Sequence, residues 1–143
     1  ILVIDESYNA NPASMKIGLD LLGAAEPPPG GRRIAVLGDM LELGDHSRRL
    51  HEALAGAVAA AQSDLELLGG TEMAALAEAL PADLGAQYHQ GADELKPILM
   101  KAVRPGDVVM VKSSKSIGFS KLVDALLKEF PVAPAARSIE TLN

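Results

Sequence analysis

Val108-Val109-Met110-Val111 is an apolar run with no polar alternation, and four more strand-type runs precede it. A strand that is apolar on both sides is buried on both sides, which is the habit of parallel sheets covered by helices. The earlier runs are Ile1 to Asp5, Ile34 to Leu37, Asp64 to Leu68 and the weaker Ala86 to His89. A helical pattern follows each of the five. Asn11-Pro12 supplies an N-cap and a first-turn proline for a helix in which Met15, Leu19 and Leu22 recur, reaching about Ala25. Ser47 is expected to cap one continuous helix with Leu50, Leu54, Ala57, Val58 and Ala61 on a shared face. Thr71 is expected to cap a third helix to about Leu80. A fourth spans Asp93 to Val103 with Pro97 in its first turn. The last carries Phe119, Leu122, Val123, Leu126, Leu127 and Phe130 as one stripe.

Strict alternation of strand and helix predicts an α/β fold. The expected form is a Rossmann-like three-layer domain, with a mostly parallel sheet of five to six strands and helices on both faces. The 143 residues suit one domain, and 48% hydrophobic with 22% charged residues is a globular balance. Because aromatics make up only 3%, the core must come from Leu, Val, Ile, Ala and Met. Residues 1–130 are expected to form the folded unit and residues 131–143 a flexible tail. The chain opens directly on a strand, so a piece of a longer protein is expected.

The absence of cysteine excludes disulfides, zinc–thiolate sites and thiol nucleophiles. A net charge of −6 argues against nonspecific nucleic-acid binding. No run is long and apolar enough to span a membrane, and no basic-then-apolar leader is present. The expectation is a cytoplasmic, monomeric domain without nucleic-acid or membrane partners.

In open α/β sheets ligands bind beyond the carboxyl ends of the strands, so the loops that follow strands hold the chemistry. Asp5-Glu6-Ser7-Tyr8-Asn9-Ala10-Asn11-Pro12 packs acids, a phenol and amides into one strand-to-helix turn. Amides read the edge of a base, a carboxylate accepts ribose hydroxyls, and Tyr8 offers a stacking face. The same residues also suit a plain helix cap at Asn11 with solvated acids beside it. Gly38-Asp39-Met40-Leu41-Glu42-Leu43-Gly44-Asp45-His46-Ser47 is either an acidic metal loop or a glycine-hinged loop with Asp45 and Ser47 capping the next helix. The capping reading is preferred, with no metal ligand expected. His46, His51 and His89 are expected to be solvated. Lys112-Ser113-Ser114-Lys115-Ser116, cations and hydroxyls ahead of a helix, suits an anionic group or is an ordinary polar loop. Neither a triphosphate-cradling loop nor a dinucleotide fingerprint nor a nucleophile elbow is present.

Together the three segments resemble one family, the Mur ligases of peptidoglycan precursor synthesis, and within it the branch that adds D-alanyl-D-alanine. Asp5-Glu6-Ser7-Tyr8-Asn9-Ala10-Asn11-Pro12 is similar to the signature opening the C-terminal domain of that branch. Gly38-Asp39-Met40-Leu41-Glu42-Leu43-Gly44, with His51 beyond, is similar to its second motif. Val111-Lys112-Ser113-Ser114-Lys115-Ser116 resembles its third, usually Val-Lys-Gly-Ser-Arg-Ser. The likeness extends from residue 1 to about residue 130.

The resemblance implies an ATP-dependent amide ligation with magnesium that joins D-alanyl-D-alanine to UDP-N-acetylmuramoyl-tripeptide. ATP phosphorylates the tripeptide carboxylate, and the dipeptide amine attacks the acyl phosphate. An upstream N-terminal domain holds the UDP sugar, a central domain holds the phosphate loop, and the C-terminal domain closes over both. Glu6, Tyr8, Asn9 and Asn11 would then face adenine and ribose. Asp39, Glu42, Lys112, Ser113, Ser114, Lys115 and Ser116 would border the dipeptide. No catalytic residue is expected in this chain, which would be inactive alone and would bind no cofactor tightly. Glu6 stands where Asp is usual, Ser113 where Gly is common, and Lys115 where Arg is common; a lysine ammonium is a point charge, not a bidentate fork. The resemblance also suggests a strand order, since all three loops serve one cleft only if strands one, two and five are neighbours. The expected order is therefore one, five, two, three, four, with the family's additional antiparallel edge strand lying upstream. The rival reading is a non-catalytic nucleotide- or partner-binding module. A receiver-type domain is disfavoured because Asp39 lacks paired acids in the right context after strand one.

Overall fold

The computed structural model describes residues 1–130; the expected tail at residues 131–143 lies outside the described residues. Among the described residues five strands form one sheet: β1 (Leu2–Glu6), β2 (Arg33–Gly38), β3 (Leu65–Gly69), β4 (Gln87–His89) and β5 (Val108–Lys112). All pair in parallel, in the order β1-β5-β2-β3-β4. The expected order holds, and with it the placing of three chemically loaded loops side by side.

Among the described residues six α-helices cover the sheet: α1 (Pro12–Ala24), α2 (Ser47–Glu52), α3 (Ala55–Ala61), α4 (Met73–Ala79), α5 (Ala92–Ala102) and α6 (Ser120–Glu129). One core packs Met15, Leu19 and Leu22 of α1, Val58 of α3, and Met73 and Leu76 of α4 onto Ile4, Met110, Leu37 and Leu68 of the sheet. On the opposite side Leu95 and Leu99 of α5 and Leu122, Val123 and Leu126 of α6 pack onto Val3, Val109, Val36 and Leu67. The period-two alternation of the strands decides which side chain enters which core.

Several helix starts depart from expectation. The single helix drawn from Ser47 to Ala61 is two, α2 and α3, joined where Leu54 N–H bonds to His51 O three residues back instead of four. A short 3₁₀ turn, Gly44–His46, leads into α2, so Ser47 is already helical and caps nothing. Its hydroxyl donates to Glu72 instead. Thr71 does not cap α4 either. The carboxylate of Asp39, arriving from the loop after β2, accepts the N–H groups of Glu72 at 3.1 Å and Met73 at 2.8 Å. Pro97 lies inside α5, in the second turn, because the helix opens at Ala92. Asn11 does cap α1, in a reciprocal capping box with Ser14, and Pro12 follows at the first position.

Two buried acids anchor the end of the sheet away from the loaded loops. Asp107 Oδ1 accepts Arg32 N–H at 3.0 Å, and its Oδ2 accepts the Arg32 guanidinium and Arg104 N–H, each at 2.8 Å. Burial by itself would raise the Asp107 carboxyl, but these hydrogen bonds outweigh it and hold the group below its ordinary value. Glu66 on β3 is buried, and its Oε2 accepts from Ser63. Its Oε1 has no hydrogen-bond partner, and burial pushes this carboxyl up.

Candidate functional site

The helices that follow β1 and β2 pack on one face of the sheet, whereas α6, which follows β5, packs on the other. Since β5 lies between β1 and β2, the connections leaving its carboxyl end diverge from those of both neighbours. A crevice opens where strand connectivity changes face, the usual ligand position in such sheets.

A cleft of about 760 Å³ occupies that place, lined by Tyr8, Asn9, Ala10, Asn11, Leu41, Glu42, Leu43, Ser114, Lys115 and Ser116. Its size is that of a small-molecule site. Tyr8 is 42% exposed, a ring held at the surface with one face available. Asn11 has its side-chain oxygen occupied by Ser14 N–H at 2.8 Å, so its amide nitrogen is what it offers a ligand. Lys115 and Ser116 are exposed at the opposite rim. Glu42 is exposed between the apolar Leu41 and Leu43, on left-handed backbone with φ 64°.

Of the residues singled out from sequence, Tyr8, Asn9, Asn11, Glu42, Ser114, Lys115 and Ser116 meet in this cleft. Glu6, Asp39, Lys112 and Ser113 are buried beneath it. Glu6 and Lys112 form an ion pair at 3.3 Å. Asp39 spends both oxygens on the start of α4, and burial pushes its carboxyl up against the downward pull of the Glu72 and Met73 N–H groups. Asp39 also borders a second, smaller cavity of about 290 Å³, with Thr71 and Glu72, on the far side of the Leu41–Leu43 wall. Ser114 donates its N–H to Asp39 O at 3.0 Å and its hydroxyl to Ala10 O at 3.5 Å, so it touches all three loops.

His51 corrects the expectation of a solvated ring, for it is fully buried. Its Nε2 accepts Met40 N–H at 3.1 Å, which requires Nδ1 to donate to Ser47 O at 2.7 Å. The histidine therefore fixes the backbone on which the Leu41–Leu43 wall stands. Its spacing of four from Ser47, on the inward side of an amphipathic helix, was the available signal. Leu41 and Leu43 also escaped notice, although leucines in a loop flanking an acid are apolar groups with no helix face to bury them.

The cleft suits a flat polar ring system with a small anion beside it. Among the described residues, no three His, Cys, Asp or Glu side chains are grouped so as to hold a metal ion. Among the described residues, no helix is long and apolar enough to cross a membrane.

Comparison with known proteins agrees with this geometry. The family model for the Mur ligase, glutamate ligase domain, matches residues 1–115. The UDP-N-acetylmuramoyl-tripeptide–D-alanyl-D-alanine ligase of Synechocystis sp. is 34% identical over 134 residues, which is 93% of this chain and 29% of that protein. A crystal structure of MurF from Acinetobacter baumannii superimposes with a TM-score of 0.73 at 26% identity, covering 85% of this chain and 26% of that one. MurF ligase from Thermotoga maritima, solved in complex with ADP, shares the fold with a TM-score of 0.65 at 24% identity, over 89% of this chain and 28% of that one. The chain thus spans under a third of the length of these relatives. With the family model covering most of its length and the cleft built from the three motif loops, the chain belongs to the Mur ligase family and carries its glutamate ligase domain.

Proposed function

We propose that this chain is the C-terminal domain of an ATP-dependent ligase that joins D-alanyl-D-alanine to UDP-N-acetylmuramoyl-tripeptide in cytoplasmic peptidoglycan precursor synthesis. The observation that carries the reading is the meeting of Tyr8, Asn9 and Asn11 with Lys115 and Ser116 across one cleft. The aromatic and amide rim takes the adenosine, Tyr8 by stacking and the amides by hydrogen bonding to the base. Lys115 and Ser116, with Ser114 between the walls, take the dipeptide carboxylate at the other rim. A fold neighbour solved with ADP is in keeping with this assignment. The phosphate loop, the magnesium ligands and the sugar pocket belong to upstream domains, and the isolated domain is monomeric and inactive. ATP supplies the phosphoryl group that activates the tripeptide carboxylate; this domain contributes orientation and exclusion of water when it closes over the reactants.

Two or three net hydrogen bonds of about 1 kcal/mol each, with one stacked ring, give the isolated domain only about millimolar affinity for ATP. The test is an NMR titration with ATP and then with D-alanyl-D-alanine. Shifts at Tyr8, Asn9 and Asn11 with the nucleotide, and at Lys115 and Ser116 with the dipeptide, are expected. Silence at both sets of amides at several millimolar would overturn the reading and favour a non-catalytic module that binds another partner.

A further inference from the structure

Glu6 ends β1 and Lys112 ends β5, and the two are register partners in adjacent parallel strands. By strand alternation both share the α1 side of the sheet with Ile4 and Met110. Lys112 is 2% exposed and Glu6 4% exposed, so neither belongs to the accessible wall of the cleft. The ammonium of Lys112 lies 3.3 Å from Glu6 Oε1 and also donates to the carbonyl oxygen of Asn9 at 3.1 Å. Tyr8 Oη in turn donates to Glu6 Oε2 at 3.4 Å.

The helix above is shaped to admit this arrangement. Gly18 lies in the middle of α1, where glycine is an unfavourable residue. A Cβ there would meet Lys112 Cδ at 3.0 Å and Met110 Sδ at 3.1 Å. The missing side chain leaves a channel along which the lysine stem runs from β5 to the underside of the first loop. A buried cation with a dedicated channel, a paired acid and a backbone carbonyl to hold is a built feature of the molecule.

We infer that Lys112 and Glu6 are positioning residues that set the Tyr8–Asn9 rim from below. Lys112 fixes the rim through the Asn9 carbonyl, Glu6 fixes it through the Tyr8 hydroxyl, and each neutralises the other out of water. The consequence for nucleotide affinity rests on the proposed use of the cleft; the positioning itself does not.

The test compares Lys112→Met, Glu6→Gln and the double variant in the 143-residue chain. Methionine keeps an apolar stem in the Gly18 channel. Lys112→Met leaves a buried carboxylate without its cation and is expected to lower the melting temperature by about 5 °C or more. The double variant regains most of that loss because no unpaired charge remains. Lys112→Met and the double variant are each expected to move the Ala10 amide resonance, which reports the carbonyl of Asn9, and to weaken ATP binding about tenfold. A double variant with native Ala10 shift and native ATP affinity would reduce Lys112 to a fold-stabilising residue and overturn the inference. Strict additivity of the two single losses in melting temperature would overturn the pairing. If the unsubstituted chain binds no ATP, the nucleotide reading fails, and an unmoved Ala10 resonance in Lys112→Met still counts against positioning.

Discussion

Ser114 Oγ accepts the backbone N–H of Leu41 at 2.9 Å, joining the loop after β5 to the loop after β2 across 73 positions of sequence. With its N–H on Asp39 O, this serine stitches one wall of the cleft to the other. Ser114→Ala orphans a partly buried donor, so a stability loss of about 1–2 kcal/mol is expected in urea denaturation. Amide exchange at Leu41 should quicken by more than at residues remote from the loop. Unchanged protection at Leu41 would show that the bond does not hold the wall.

Gly70 has φ 121°, and a Cβ on it would lie 2.3 Å from a carboxylate oxygen of Asp39. Gly70→Ala therefore combines a strained backbone with displacement of the group that caps α4. The expected cost is about 3 kcal/mol or more, read as a lower thermal midpoint. Asp39→Ala, which removes the cap without the clash, should cost about 1–2 kcal/mol. An equal loss in the two variants would mean the clash is relieved elsewhere.

Glu66 and Asp107 set opposite dependences on pH. The Glu66 carboxyl is raised by burial, so the folded state binds its proton more tightly than the unfolded chain does. Stability from this group grows as pH falls through the folded value towards the ordinary 4.5 and then levels off. Glu66→Gln, neutral at every pH, should therefore be more stable than the parent at pH 7, by about 1 kcal/mol. The advantage should shrink in denaturation curves at pH 4. A constant difference between the two pH values would contradict a buried charge at this position.

For Asp107 the sign is reversed. Its carboxyl is held down, so its contribution is fully present above the unfolded value of 3.8 and disappears as pH falls through the lower folded value. Arg32→Ala leaves the buried carboxylate without its guanidinium and should cost about 3 kcal/mol at pH 7. The gap between the variant and the parent should narrow on acidification, because the parent loses the Asp107 contribution below pH 3.8 and the variant is relieved of its unpaired carboxylate as that group protonates. Closure already near pH 6 would assign the loss to another group.

Tyr8→Ala tests the stacking face directly. The ring is 42% exposed, so the main loss is expected in nucleotide binding, by about 1–3 kcal/mol, the range for a base stacked on an aromatic ring, while loss of the hydroxyl from Glu6 lowers the thermal midpoint by a few degrees. A variant that binds ATP as the parent does would place the base elsewhere.

The strands were legible because apolar runs such as Val108 to Val111 state their burial directly, whereas their order came with the family resemblance, which sets three loaded loops on one cleft. The cap at Asn11 was legible too, since its partner Ser14 is three residues away. The caps that failed are those supplied from a distance. Thr71 looked like the cap of α4, but the acceptor comes from Asp39 after another strand. Ser47 read as a helix cap and His51 as a solvated ring until the loop carrying Met40 is laid over them. For the candidate site, residue type pointed to loops that the fold brings together but not to depth. Alternation along β1 and β5 groups Glu6 with Ile4 and Lys112 with Met110, although only the packing shows that α1 covers that face. What it could not supply was the Gly18 channel that lets a lysine remain there.

His51 holds Met40, Asp39 spans to α4, and Ser114 ties Leu41 to the loop after β5, so the Leu41–Leu43 wall is fastened before any ligand arrives. A molecule entering the cleft meets a surface that has already lost its conformational freedom. The ordering cost of association then falls on the incoming molecule and on the exposed side chains of Tyr8, Asn9 and Lys115, which lets a modest set of contacts discriminate by shape.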